Sequence, residues 1–208
     1  MTKIKICGVN SAAAFDAVVA AQADYLGFVF FEKSPRCVTP AQAVALSARY
    51  EGGPLRVGLF VQPADEEIDA VLQALKLDVL QIYANAGRVR AIKQKFQTPV
   101  WRAIGVAARA ELPTETLDGY VIESKPPPGA TRPGGNAAQM DFSLLTGWQS
   151  SAPWLLAGGL TPENVAHAIA QTGAPGVDVS SGVETAPGEK SPDLIKKFAE
   201  EIRKNVLF

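Results

Sequence analysis

Gly176-Val177-Asp178-Val179-Ser180-Ser181-Gly182 is the stretch whose reading decides the fold. Val177 to Val179 reads as a short buried strand. The chain then breaks into two hydroxyl residues and a glycine whose backbone amides can turn toward an anion. Upstream, Trp154-Leu155-Leu156-Ala157-Gly158-Gly159 repeats the design, an apolar strand running into a glycine pair. Two consecutive strands ending in anion-friendly loops point to one phosphate held between them, as in many (β/α)8 barrels. Gly158, Gly159, Ser180, Ser181 and Gly182 are therefore the candidate phosphate ligands.

The rest of the chain fits that architecture. Lys3 to Cys7 alternates and stops at Gly8, and Ser11 to Ala23 follows with helical spacing at Phe15, Val18 and Val19. Tyr25 to Phe30 is almost continuously apolar, as expected of a strand buried on both faces, and a helix opens at Thr39-Pro40 with Gln42 placed for a capping box. Further strands are expected at Leu55 to Phe60, Val79 to Ile82, Val100 to Ile104 and Gly119 to Glu123. The helices expected after them are Asp65 to Leu75, Gly87 to Phe96, a weak one within Ala107 to Asp118 that Pro113 splits, and Phe142 to Trp148. Thr161-Pro162-Glu163 and Ser191-Pro192-Asp193 each combine a hydroxyl cap, a proline at the first helical position and an acid in the first turn. The expectation is an α/β fold, one (β/α)8 barrel spanning 1–208, eight strands alternating with helices. The run Lys125 to Asn136, with its four prolines, fits neither helix nor central strand and reads as an active-site cover.

Composition excludes several function classes. Twenty Lys and Arg against twenty-one Asp and Glu leave a net charge of −1, with no basic run to recommend nucleic acid. The apolar stretches are strand-sized, so no membrane partner is expected, and the charged N-terminus leads into a strand rather than a secretory segment. A cytoplasmic location with Cys7 and Cys37 reduced is the corresponding expectation. No His, Cys, Asp or Glu spacing suggests a metal site, and no dinucleotide fingerprint follows a strand, so neither metal nor cofactor is expected.

In such a barrel, chemistry sits at the C-terminal strand ends. Those positions hold Cys7, Arg36, Gln81, Glu123 and Asp178 besides the loops above. Taken singly, Cys7 reads equally as a small core hydrophobe, and Arg36 as a solvated charge or an anion ligand. Glu123 at a barrel mouth is costly unless it is used or paired. Asp178 points away from Val177 and Val179, into the mouth or toward a structural hydrogen bond. His167 falls in a helix, where no strand-end base can come from it, and the reading does not place Lys5 on the face that carries Cys7.

Lys5-Ile6-Cys7-Gly8, Gly27-Phe28-Val29-Phe30 with Ser34-Pro35-Arg36, Leu156 to Val165, and Gly176 to Glu184 occur in this order along essentially the whole chain. Together they resemble the phosphoribosylanthranilate isomerase family of tryptophan biosynthesis. The resemblance implies a cofactor-free Amadori rearrangement of a phosphorylated sugar-anthranilate substrate, with Cys7 as general base and Arg36 on the anthranilate carboxylate. It implies that the glycine pair and the Ser-Ser-Gly turn hold the phosphate. Asp178 and Gln81 are assigned to the substrate, and a monomer or homodimer is expected. The family's general acid is an aspartate at the end of the sixth strand. Glu123 stands at that place and is taken as the acid. The run Gln81-Ile82-Tyr83-Ala84 replaces the family's Gln-Leu-His-Gly, and Ala137 replaces a loop glycine. The two-fold repeat with paired aspartates of histidine-pathway barrels and the metal ligands of ribulose-phosphate epimerases are not visible.

Overall fold

The computed structural model describes residues 1–130, 133–135 and 140–204. Eight parallel strands form a closed barrel: β1 (Lys3–Cys7), β2 (Tyr25–Val29), β3 (Leu55–Val61), β4 (Val79–Tyr83), β5 (Val100–Val106), β6 (Gly119–Ser124), β7 (Trp154–Leu156) and β8 (Gly176–Val179). Each strand pairs with the next, and β8 returns to β1 through Lys3 opposite Gly176 and Lys5 opposite Asp178. Followed around the wall, these registers close with a stagger of eight residues, the shear of a (β/α)8 barrel.

Period-two alternation gives the wall two unlike faces. Outward residues such as Ile6, Leu26, Phe28, Phe60, Leu80, Ile82, Ile122 and Val177 are essentially inaccessible and pack against the helices. Val57, Val79, Trp101, Ala103, Val121 and Leu155 fill the interior, and Trp101 meets Tyr25 edge-on at 4.9 Å between ring centres. At the C-terminal end the filling turns polar, with Lys5, Glu123 and Asp178 all buried.

Among the described residues six α-helices surround the barrel: α1 (Ala12–Ala20), α2 (Pro40–Ser47), α3 (Asp65–Ala74), α4 (Ala86–Phe96), α5 (Val165–Thr172) and α6 (Pro192–Lys204). Their ends follow local chemistry. Thr39 and Gln42 form the expected reciprocal box on α2, Asn85 Oδ1 accepts from the Arg88 amide on α4, and Ser191 Oγ accepts from Leu194 on α6. The amphipathic stripe of α6, Ile195, Phe198, Ala199 and Ile202, is fully buried.

Two of the expected helices are absent. After β5 the chain makes a single 3-10 turn, Arg109–Glu111, and before β7 another, Phe142–Leu145. Pro113 denies the first a continuing hydrogen bond, and no side chain caps its start. The second has Asp141 as a cap but too few residues to pass beyond one turn before Gly147 enters the left-handed region. Helix α5 starts later than the Thr161-Pro162-Glu163 signature suggests. Thr161 Oγ1 does accept from the Glu163 amide, but residues 162–164 form a turn ahead of the first helical residue, Val165. An unforeseen two-stranded hairpin, β9 (Glu184–Ala186) and β10 (Glu189–Lys190), follows β8.

Candidate active site

One cleft opens at the C-terminal mouth of the barrel, the place where barrels of this kind hold their ligands. Its walls include Cys7, Arg36, Tyr83, Glu123, Gly158, Gly159, Asp178, Ser180 and Ser181. Eight of the ten expected site residues therefore meet in one place. Gly182 is not in the wall but behind it. A Cβ there would stand 1.8 Å from the Leu160 carbonyl oxygen, so only glycine lets the two loops pack back to back. Gly158 sits at φ +91°, where its missing side chain also leaves room for the Ser124 amide. Gly158, Gly159 and Leu160 after β7 and Ser180 and Ser181 after β8 all line the cleft.

Gln81 is the residue that the structure does not bring to the cleft wall. It lies on the inward face of β4 two positions below Tyr83, fully buried, and neither of its amide atoms has a hydrogen-bond partner among the described residues. A strand that stops at Ile82, as the sequence suggests, puts Gln81 near its end. β4 runs on to Tyr83, which lines the cleft instead.

Lys5 is on the Cys7 face after all, because residues two apart in a strand point the same way. Its ammonium is completely buried and donates to Asp178 Oδ1 at 2.8 Å across the β1–β8 seam. The space that admits both groups is a missing side chain: a Cβ on Gly27 would lie 3.0 Å from Cys7 Sγ and 3.3 Å from Lys5 Nζ. Burial works against the Lys5 charge, but Asp178 and Cys7 outweigh it and hold its pKa above the usual lysine value. Burial also pushes the Cys7 thiol up, with Asp178 adding to it, while Lys5 and Lys190 pull it back. Thiolate formation therefore depends on these two cations.

Glu123 lines the same cleft as Cys7 and is 6% exposed. Burial raises its carboxyl to about 8, with Asp178 contributing in the same direction and Tyr83 and Lys5 opposing. Its Oε1 has no hydrogen-bond partner among the described residues. Tyr83 stands beside it. A Cβ built on Gly134 would lie 2.5 Å from the Tyr83 hydroxyl oxygen and 2.8 Å from each Glu123 carboxyl oxygen. Pro133, Gly134 and Gly135 of the proline-rich loop also line the cleft. Ala137 lies outside the described residues.

Arg36 is not a surface charge. It is 3% exposed, packs against Gly8, and donates through Nε and Nη2 to both oxygens of Glu184 at 2.7 and 2.6 Å. Lys190 reaches the same carboxylate at 2.5 Å and also donates to Ser180 O and Oγ at 2.9 and 3.2 Å. Burial draws Lys190 down to about 8 even though Glu184 favours its charge. Nothing in the sequence assigns Glu184, Lys190, Tyr83 or Lys5 a role at the site. Only Lys5, two residues from Cys7, carried a local signal.

His167 is exposed on α5, both cysteines are free, and no helix among the described residues is long and apolar enough to cross a membrane. Among the described residues no three His, Cys, Asp or Glu side chains are grouped to hold a metal.

Residues 4–201 match the family model of N-(5'-phosphoribosyl)anthranilate isomerase. A curated isomerase of that name from Acidiphilium cryptum is 54% identical over 202 residues, 95% of this chain and 97% of the relative. Among solved structures, monomers generated from the dimeric Thermotoga maritima phosphoribosylanthranilate isomerase superpose with a TM-score of 0.81 at 30% identity, covering 98% of this chain and 100% of that one. A phosphoribosyl anthranilate isomerase in complex with reduced 1-(o-carboxyphenylamino)-1-deoxyribulose 5-phosphate superposes with a TM-score of 0.82 at 29% identity and the same coverage. With a matching model over nearly its full length, the same barrel and close relatives of one name, the chain belongs to the N-(5'-phosphoribosyl)anthranilate isomerase family.

Proposed function

We propose that Glu123 and Cys7 divide the proton transfers of the isomerisation, Glu123 as general acid and Cys7 as general base. The chain is an isomerase of tryptophan biosynthesis acting on N-(5'-phosphoribosyl)anthranilate, and the division of labour follows from what that rearrangement needs. The furanose ring oxygen must gain a proton as the C1'–O bond breaks, leaving an iminium between C1' and the anthranilate nitrogen. The C2' proton must then leave, and its bonding electrons form the C1'–C2' double bond of an enolamine. Tautomerisation of that enol gives the open-chain 1-(2-carboxyphenylamino)-1-deoxyribulose 5-phosphate.

The observation that carries the reading is that Cys7 and Glu123 line one cleft together with the glycine and serine loops. An acid must hold its proton until the ring oxygen arrives, and a carboxyl raised to about 8 does so at neutral pH. A base must be able to lose its own, and Lys5 and Lys190 supply the compensating charge for a thiolate. Glu123 reaches one methylene further than the family's aspartate. Tyr83, beside its carboxyl, occupies the place of the family's histidine and limits where the longer side chain can go. The phosphate is assigned to Gly158, Gly159, Ser180 and Ser181, with Gly182 as the backing that keeps the two loops together. Arg36 is assigned to the anthranilate carboxylate, and Asp178 to orienting both Lys5 and a sugar hydroxyl. The whole chain is read as one catalytic domain, needing no cofactor, working as a monomer or homodimer in the cytoplasm.

Turnover of phosphoribosylanthranilate by the wild type, Cys7→Ala and Glu123→Gln tests these roles. Loss of activity in both variants with unchanged folding supports them, and turnover equal to wild type in either removes that residue from the mechanism. Growth of a tryptophan auxotroph lacking this isomerase, when supplied with the chain, tests substrate and reaction together.

A further inference from the structure

We propose that Glu184 is a positioning residue for substrate recognition: carried on the β9–β10 hairpin, it fixes the Arg36 guanidinium so that the remaining edge of the fork faces the cleft. The inference rests on the assignment of Arg36 to the substrate carboxylate.

An arginine on a loop has a long flexible stem, and a planar anion is read by it only if the fork is already oriented. Glu184 supplies that orientation from the opposite side, through two parallel charge-assisted bonds to Nε and Nη2. The third nitrogen, Nη1, lies beside Gly135 of the cleft wall, whose Cβ would be 2.7 Å from it. The hairpin itself is anchored at both ends of the site. Opposite Glu184 in the ladder stands Lys190, bonded to Glu184 and to Ser180 of the other loop. At the hairpin tip, Gly188 donates from its amide to Glu184 Oε2 at 3.3 Å and accepts from Asn10 Nδ2 at 3.0 Å. Gly188 also packs so closely on Pro35 that a Cβ would sit 2.5 Å from the Pro35 carbonyl oxygen. The hairpin therefore touches the Ser34-Pro35-Arg36 loop and the Ser180 loop at once.

The charge balance of the cluster points the same way. Arg36 and Lys190 are two cations, Glu184 is one anion, and all three side chains are at most 4% exposed. Burial opposes the Glu184 carboxylate, but the two cations outweigh it and keep it ionised. One positive charge is left over beside an open cleft. A surplus buried cation is costly in the empty site and is relieved by an anionic ligand.

The test uses Glu184→Gln and the charge-retaining, one-methylene-shorter Glu184→Asp, with Arg36→Met as reference. KM and kcat are measured for phosphoribosylanthranilate, together with competitive inhibition by anthranilate and, separately, by inorganic phosphate. Both Glu184 variants are expected to raise KM and weaken anthranilate inhibition by about tenfold, the scale of one misoriented charge-assisted pair, with a smaller change in kcat and phosphate inhibition within about twofold. Equal weakening of anthranilate and phosphate in the folded Glu184→Asp protein, or no change in either, overturns the inference. Should Arg36→Met leave anthranilate inhibition intact, the assignment of Arg36 itself fails. Weakening in Arg36→Met without weakening in either Glu184 variant rejects Glu184 alone.

Discussion

The two faces of the same eight strands are built on opposite rules. The outer face of β1 offers Ile4 and Ile6 to the helices, and the inner face, one residue out of phase, offers Lys5 and Cys7 to the barrel. Both faces are equally dry: Ile6 and Lys5 are each 0% exposed. Burial of the outer face is favourable as it stands, because apolar groups leave water without compensation. Burial of the inner face is tolerable only because Lys5 finds Asp178, Arg36 finds Glu184, and Glu123 keeps its proton. Stability is therefore concentrated on one side of the wall and reactivity on the other, within a single strand.

Substitutions on the two faces should separate these properties. The largest effect is expected inside: Cys7→Ala and Glu123→Gln should lower kcat by about a hundred- to ten-thousand-fold, while thermal melting shifts by no more than about 5 °C. A comparable loss of stability in either variant would dissolve the contrast. On the outer face, Ile6→Ala should cost about 2–5 kcal/mol in denaturant unfolding, through lost contacts and a residual cavity, with kcat of the folded fraction unchanged. Lys5→Met spans both properties. It strands the buried Asp178 and should cost about 3 kcal/mol along with most of the activity. The double variant Lys5→Met with Asp178→Leu should recover stability without recovering turnover, since an apolar pair fills the space but supplies no counter-charge to Cys7.

A subtler test concerns pH. Glu123 titrates near 8 when folded against an ordinary 4.5, so between those values the folded state holds a proton that the unfolded chain has released. Its contribution to stability is full below about pH 4.5, declines as pH rises, and is gone above about 8. Glu123→Gln should flatten that decline in urea titrations across the window, and turnover of the wild type should fall above about pH 8 as the acid loses its proton. The smallest effect is expected for Gly27→Ala, whose new methyl enters the space shared by Cys7 Sγ and Lys5 Nζ. Overpacking should cost about 1 kcal/mol, and separation of the two groups should lower kcat severalfold, measured together with the rate of Cys7 alkylation against pH.

What could be read without coordinates is local. Alternation marks the strands, glycines mark their ends, and Thr39 and Ser191 mark helix starts, because each signal acts through neighbours a few residues away. The same locality explains the errors. Pro113 shows that a helix after β5 is weak but not that one 3-10 turn suffices to close the connection. A strand extended by one residue moved the cleft position from Gln81 to Tyr83.

Strand count, parallel order, the two glycine-ended loops and the positions of Cys7, Arg36, Glu123 and Asp178 at the mouth were determined by the sequence itself, since they follow from periodicity and spacing. Tertiary structure alone decided which charges meet. Lys5 and Asp178 lie 173 residues apart, and Arg36 and Glu184 lie 148 apart. Such pairs are chosen by barrel closure and by the hairpin that follows β8. Their energies, and the pKa values they set, depend on distance and burial, which no window of residues contains.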